Sequence, residues 1–189
     1  MATRFFIDSL VNAIGYDSVL HAIDCGNSGN LASLLLYYII TDNANSHAQT
    51  WWEGSYASIL YPEALMNSRR ISEFLAKLGK KERQGEFFTA HIKWLKENIS
   101  DDPAVLIDST GLPNSIHFPL AGISNHNRKV SREVRMTTVV QRDSGFPMLY
   151  RLAPGIVVDV STLTRTVIIL SLYGVNTDLA ILDAGYYTD

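Results

Sequence analysis

The chain has 189 residues and a net charge of −3, with 47% hydrophobic and 19% charged residues, enough apolar material for one sizeable core or two small ones. That composition excludes a disordered tail and a collagen-like or low-complexity chain. The most apolar run, residues 31–40, is half of the roughly 20 residues that a membrane-spanning helix requires, no basic stretch leads into a long apolar segment at the start, and the single cysteine, Cys25, cannot form an internal disulfide. A soluble, cytoplasmic protein with no membrane partner is expected.

Up to about residue 100 the pattern is helical. Ile23-Asp24-Cys25-Gly26-Asn27-Ser28-Gly29-Asn30 resembles the Asp-x-Gly phosphate loop of an actin-like or sugar-kinase ATPase, but His21-Ala22-Ile23 is too short for the strand that should precede it. A helical run follows from Leu31, so a turn with an N-cap is the simpler reading of residues 27–30. Trp51, Trp52 and Trp94 read as core or interdomain anchors rather than base-stacking platforms. Ile71, Phe74, Leu75 and Leu78 fall at i, i+3, i+4 and i+7, with Gly79 as the stop. Phe87, Phe88, Ile92 and Leu95 form a second stripe that ends at Asn98, and Asp101-Asp102-Pro103 breaks the pattern. The spacing therefore divides the chain into a helical region, 1–100, and a second part, 101–189.

Beyond Pro103 the pattern is β-rich. Ala104-Val105-Leu106-Ile107 reads as a short buried strand that delivers Asp108 at its end. Residues 134–141 form a strand read through Met136, Thr138 and Val140, Asp143-Ser144-Gly145 supplies a turn, and residues 146–152 return as the hairpin partner. Asp159 or Ser161 opens a helix through Leu163, Val167 and Leu170 that Gly174 closes. Residues 179–182 are a second apolar run ending in an aspartate, Asp183. A helical crossover after a hairpin favours a parallel return. If the last strand lies beside the first, Asp108 and Asp183 become neighbours at the carboxyl ends of adjacent strands, where open α/β sheets place their sites.

Two close carboxylates repel, and a proton or a divalent cation relieves the repulsion. Oxygen donors without a Cys or His cluster favour Mg²⁺ or Mn²⁺, and paired ions of that kind support in-line attack on phosphorus. Each aspartate taken alone reads equally well as a strand end capping the next turn. A haloacid-dehalogenase arrangement needs a second aspartate two residues after Asp108, where Thr110 stands. The charge distribution is segmental: residues 1–65 balance at −5, 66–97 at +4, 98–127 at −3, 128–165 at +4 and 166–189 at −3. The two basic stretches read either as solvated faces or as a split phosphate-binding surface.

Val105-Leu106-Ile107-Asp108-Ser109-Thr110-Gly111, the Ser124-Asn125-His126-Asn127 loop, the hairpin over 134–152 and Ala180-Ile181-Leu182-Asp183-Ala184-Gly185-Tyr186-Tyr187 together resemble the catalytic core of DDE-type insertion-sequence transposases. The resemblance spans residues 100–189, and Ser68-Arg69-Arg70-Ile71-Ser72 with Phe74-Leu75 resembles the helical region before that core. It implies an α+β chain with a helical N-terminal region and a partial ribonuclease H-like mixed sheet. Asp108 and Asp183 would be catalytic metal ligands for Mg²⁺ or Mn²⁺, acting in cleavage and strand transfer of double-stranded DNA by a homodimer or higher assembly. Arg69, Arg70, Lys80, Lys81, Arg128, Lys129 and Arg132 would contact DNA, and His126 would lie near the substrate. The third acid of that family, a glutamate on a late helix, has no counterpart before Asp189, so residues 1–189 are expected to correspond to the front of a longer transposase and to be inactive alone. A non-catalytic DNA-binding or regulatory fragment is the alternative reading.

Overall fold

The computed structural model describes residues 2–23, 26–113, 118–124, 131–155 and 159–182. The chain divides into two compact units, residues 1–94 and 95–189, the first helical and the second built on a mixed sheet. Among the described residues no helix is long and apolar enough to cross a membrane.

The helical unit holds α1 (Ala2–Ala13), α2 (Asp17–Ala22), α3 (Ser28–Ile40), a 3₁₀ turn (Asn45–His47), α4 (Ala48–Glu53), α5 (Ala57–Leu60), α6 (Ser68–Leu78) and most of α7 (Lys81–Asn98). Its core packs Leu31, Leu34 and Tyr37 of α3 against Met66 and against Ile71 and Phe74 of α6, with Trp51 and Trp52 resting on the same cluster. Tyr37 is fully buried. Its hydroxyl, which would be costly to bury alone, donates to Ala44 O at 2.6 Å, and its ring meets Trp51 edge-on at 5.2 Å. Trp94 is also buried and donates Nε1–H to Ile14 O at 3.0 Å. The tryptophans are thus committed to packing. Asparagines start the two helices that frame this core: Asn27 Oδ1 accepts from Asn30 N–H at 3.0 Å and Asn67 Oδ1 accepts from Arg70 N–H at 3.0 Å, each satisfying a donor the helix itself cannot.

The sheet unit contains β1 (Ala104–Pro113), β2 (Gly122–Ser124), β3 (Ser131–Gln141), β4 (Pro147–Pro154), α8 (Asp159–Leu172) and β5 (Leu179–Leu182). β3 lies antiparallel between β1 on one side and β4 and β2 on the other, while β5 pairs with the free side of β1 in parallel. β1 runs six residues past Ile107, the end read from its apolar run, because β3 offers partners as far as Pro113↔Glu133. Gln141, fully buried, ties the hairpin to the entrance of β1: its Nε2 donates to Ser100 O and Asp102 O at 2.9 and 3.2 Å, and its Oε1 accepts from Ser144 Oγ. Gly174 ends α8 at φ 81°, the left-handed region that favours glycine, with Val175 N–H reaching back to Leu170 O at 2.9 Å. The same glycine's carbonyl accepts from Lys96 Nζ at 2.8 Å, which anchors the last turn of α7 in this unit.

Residues in register share a face, so the sheet has two distinct sides. One side carries Val105, Ile107, Val139 and Leu149 and is covered: Arg151, on that side, donates Nη1 to Thr166 Oγ1 of α8 at 2.8 Å. The other side carries Leu106, Leu112, Tyr150, Leu152, Leu179 and Ile181, each between 37% and 47% exposed. Along β3 the more polar face is the covered one. Met136, Thr138 and Val140 face the open side, whereas Glu133, Arg135, Thr137 and Gln141 are buried, because α8 lies over the odd-numbered face.

Two glycines make room for buried Glu133. A Cβ on Gly111 would stand 2.6 Å from Glu133 Oε2, and one on Gly155 would stand 2.4 Å from the Glu133 backbone oxygen. A carboxylate can swing away, but a strand backbone cannot. Gly155→Ala is therefore expected to destabilise the sheet unit by about 1–3 kcal/mol, read as a lower denaturation midpoint. Gly54→Ala, whose new methyl would meet only Thr50 O at 3.5 Å, should stay within about 0.5 kcal/mol of the parent.

Candidate functional site

Asp108 stands where the β1–β5 pairing ends. The register opposes Ala104, Val105, Leu106 and Ile107 to Leu179, Ala180, Ile181 and Leu182, so the two apolar runs lie on adjacent, parallel strands and end opposite each other at Ile107 and Leu182. Asp108 opposes Thr138 across β3 and belongs to the open, apolar side of the sheet with Leu106. It is exposed. One carboxylate oxygen, Oδ1, accepts from Ser109 N–H at 2.7 Å; among the described residues no hydrogen bond engages Oδ2. A hard oxygen donor on a solvent-facing strand suits a divalent cation that keeps much of its water. Asp183 lies outside the described residues, and among the described ones no three His, Cys, Asp or Glu side chains are grouped to hold a metal.

The charged residues singled out from the sequence fall into two kinds. Arg69, Arg70, Lys80, Lys81 and Arg132 are exposed. Arg69 and Arg70, in the first turn of α6, converge on one carboxylate: Arg69 Nε meets Glu73 Oε1 at 3.0 Å and Arg70 Nη1 meets Glu73 Oε2 at 2.9 Å. The two guanidiniums, Arg69 first, hold the Glu73 carboxyl below its ordinary range. All three side chains are solvent-accessible, so the network adds little stability, yet it fixes two cations side by side. Arg132 shares the sheet face of Asp108 but is six residues away along β3, about 20 Å. His126, Arg128 and Lys129 lie outside the described residues.

Among the described residues of 128–165, several basic side chains are turned inward or paired. Arg135 is buried and donates Nη1 to Ser109 Oγ at 3.2 Å. Arg151 is turned toward α8, where burial, with Arg165 nearby, lowers its pKa. Arg142 pairs with Asp143 at 2.8 Å and with Asp102 at 3.4 Å. Arg135 and Arg151 are therefore structural cations of the covered face, a role that charge counting missed; their odd-numbered register with Val139 and Leu149 is the signal that could have found them. The ATPase-like segment also resolves locally. His21 and Ala22 belong to α2 and Ile23 follows that helix, while Asn27 caps α3, so no strand leads into residues 24–30.

If the α6 pair contacts phosphate, Glu73 competes with it. Glu73→Gln is expected to strengthen duplex DNA binding a few-fold in a fluorescence anisotropy titration, and Arg69→Glu with Arg70→Glu to weaken it equally across sequences and flatten its salt dependence. Unchanged affinity in both variants would identify α6 as a solvated face only. No family model matches the chain, and no curated protein or solved structure matches it.

Proposed function

We propose that the sheet unit is a metal-dependent polynucleotidyl-transfer core of the DDE transposase type, ribonuclease H-like in topology, with Asp108 and Asp183 as ligands for Mg²⁺ or Mn²⁺. The observation that carries this reading is the parallel β1–β5 register with Ile107 opposite Leu182. The strand arrangement supports it too: an antiparallel β1–β3–β4 run, then α8, then a strand returning beside β1, as the resemblance implies.

The chemistry follows from the donor set. Ions bound there would activate a water or a 3′ hydroxyl and stabilise charge at the scissile phosphate. Asp108 contributes one fixed acceptor, its orientation held through Ser109 N–H, and keeps a second oxygen for a ligand. Positioning of this kind is most of what phosphoryl transfer asks of a protein. Thr110 and Thr138 flank Asp108 on the same face and offer hydroxyls rather than cations, so the site depends on metal rather than on Lys or Arg for positive charge. The bare apolar surface around Asp108 suits cover by a further segment, from which this reading draws the third acid. In the helical unit the exposed cations of α6 and the start of α7 would grip duplex phosphates without reading bases, and work on two DNA ends calls for at least a homodimer. Those same exposed cations favour the second reading, a DNA-binding fragment without catalysis.

Iron-directed cleavage of the polypeptide separates the two. With Fe²⁺ and ascorbate in place of Mg²⁺, main-chain cuts are expected near Asp108 and just after Leu182, suppressed by excess Mg²⁺ and lost in Asp108→Asn, with duplex affinity unchanged. Duplex binding without localised cuts, or cuts indifferent to Asp108→Asn, would contradict the metal site and leave the DNA-binding reading.

A further inference from the structure

The helical unit contains a cavity of about 420 Å³ among α1, α2 and α3, within the range of small-molecule sites. Its walls are apolar over most of their extent, with Val11 from α1, Leu20 from α2 and Leu31 and Leu35 from α3. Among the described residues that line it, none is a lysine or arginine. Asp8 spends Oδ1 on the Tyr61 hydroxyl, which donates to it at 2.5 Å, and among the described residues no hydrogen bond engages its Oδ2. Asn12 spends one amide N–H on Asp8 O at 3.0 Å, leaving its carbonyl oxygen and a second N–H. His21 must donate Nδ1–H to the Asp17 carbonyl at 2.7 Å, leaving Nε2 as an acceptor on the neutral ring. Asp17 adds a second carboxylate to the lining.

The side chains that could donate are mostly spent. The Tyr61 hydroxyl is used on Asp8, and Tyr16 OH lies 2.9 Å from His91 Nδ1. Burial first, then the hydrogen bond and charge of Asp8, raises the Tyr61 pKa above its ordinary value. The charged side chains among the described lining residues are the carboxylates of Asp8 and Asp17. An apolar chamber whose polar rim presents acceptors and negative charge selects a ligand with an apolar body and a donor-only cationic head.

We propose that this cavity binds a small amphipathic amine, its hydrocarbon part between α1, α2 and α3 and its ammonium against Asp8. An ammonium has three donors and no acceptor, which matches the free oxygen of Asp8, the Asn12 carbonyl and the His21 ring nitrogen. A carboxylate head would meet Asp8 and Asp17 as like charges. A neutral alcohol would fill the chamber equally well but forfeit the charge-assisted hydrogen bond.

The test is an amide NMR titration of the unchanged chain with 4-phenylbutylamine, 4-phenylbutan-1-ol and 4-phenylbutanoate. The amine should shift residues of α1, α2 and α3 selectively, with a Kd at least about tenfold below that of the alcohol, and the acid should not saturate. Asp8→Asn keeps an acceptor for Tyr61 and should bring the amine to the level of the alcohol. Ala32→Phe, which fills the chamber from α3, should abolish both. Equal affinity for the three probes, shifts scattered over the surface, or an amine preference that survives Asp8→Asn would overturn the proposal, and the unchanged chain decides the first two even if Ala32→Phe does not fold.

Discussion

The backbone pairing of β5 with β1 is the constraint on which the sheet unit and its site both depend. These strands are more than sixty residues apart in sequence, and their parallel alignment cannot form through a tight turn. It needs α8 as the crossover, seated on the sheet by Arg151, whose guanidinium reaches Thr166 Oγ1 at 2.8 Å and Thr162 O at 3.4 Å. A half-buried guanidinium stays charged, so these bonds are stronger than neutral ones, about 1.5–3 kcal/mol each in favourable geometry. Gly174 then stops α8 in time for the chain to turn back into β5. Remove any of these links and the two apolar-aspartate runs lose their common frame.

The same packing explains why the two sides of the sheet differ. α8 commits the odd-numbered face of β3 to the interior, where Glu133, Arg135 and Thr137 are buried with Val139. Buried charge is tolerable there only with partners, and Ser109 supplies one for Arg135. The opposite face keeps Asp108 in reach of solvent among Leu106, Tyr150, Leu152 and Ile181. A solvated face of a mainly antiparallel sheet is ordinarily polar, so an exposed apolar patch of this breadth is the kind of surface that another segment or partner covers. A carboxylate in its midst is accessible to solvent, and a cover would partly dry it and strengthen its attraction for any cation placed there.

Much of this architecture was legible in the sequence where a period was clean. The stripe over Ile71, Phe74, Leu75 and Leu78 gave α6 almost to its ends, and the hairpin turn at Asp143-Ser144-Gly145 is where the chain reverses, with Gly145 at φ 68°. A parallel return of residues 179–182 followed from a hairpin and a crossover, while its place beside 104–107 was one arrangement the sequence allowed and the register shows. Short helices such as α2, α4 and α5 were not legible, because segments of four to six residues are held by tertiary packing and not by their own propensity. Which face of β3 is buried was not legible, because it is decided by where α8 lies: Arg135, Thr137 and Gln141 are buried while Met136, Thr138 and Val140 are only partly so. The cavity of the helical unit left no sequence signal at all, since it arises from how three separate helices meet.

The central claim is that Asp108 and Asp183 share a divalent ion at the end of the β1–β5 pair. A crystal of the chain soaked in Mn²⁺ and measured at the manganese edge tests it most directly. The account expects an anomalous peak on the open side of the sheet, within roughly 2 Å of a carboxylate oxygen from each aspartate, that disappears in Asp108→Asn. Carboxylates directed to opposite faces, or a peak that persists without Asp108, would contradict it.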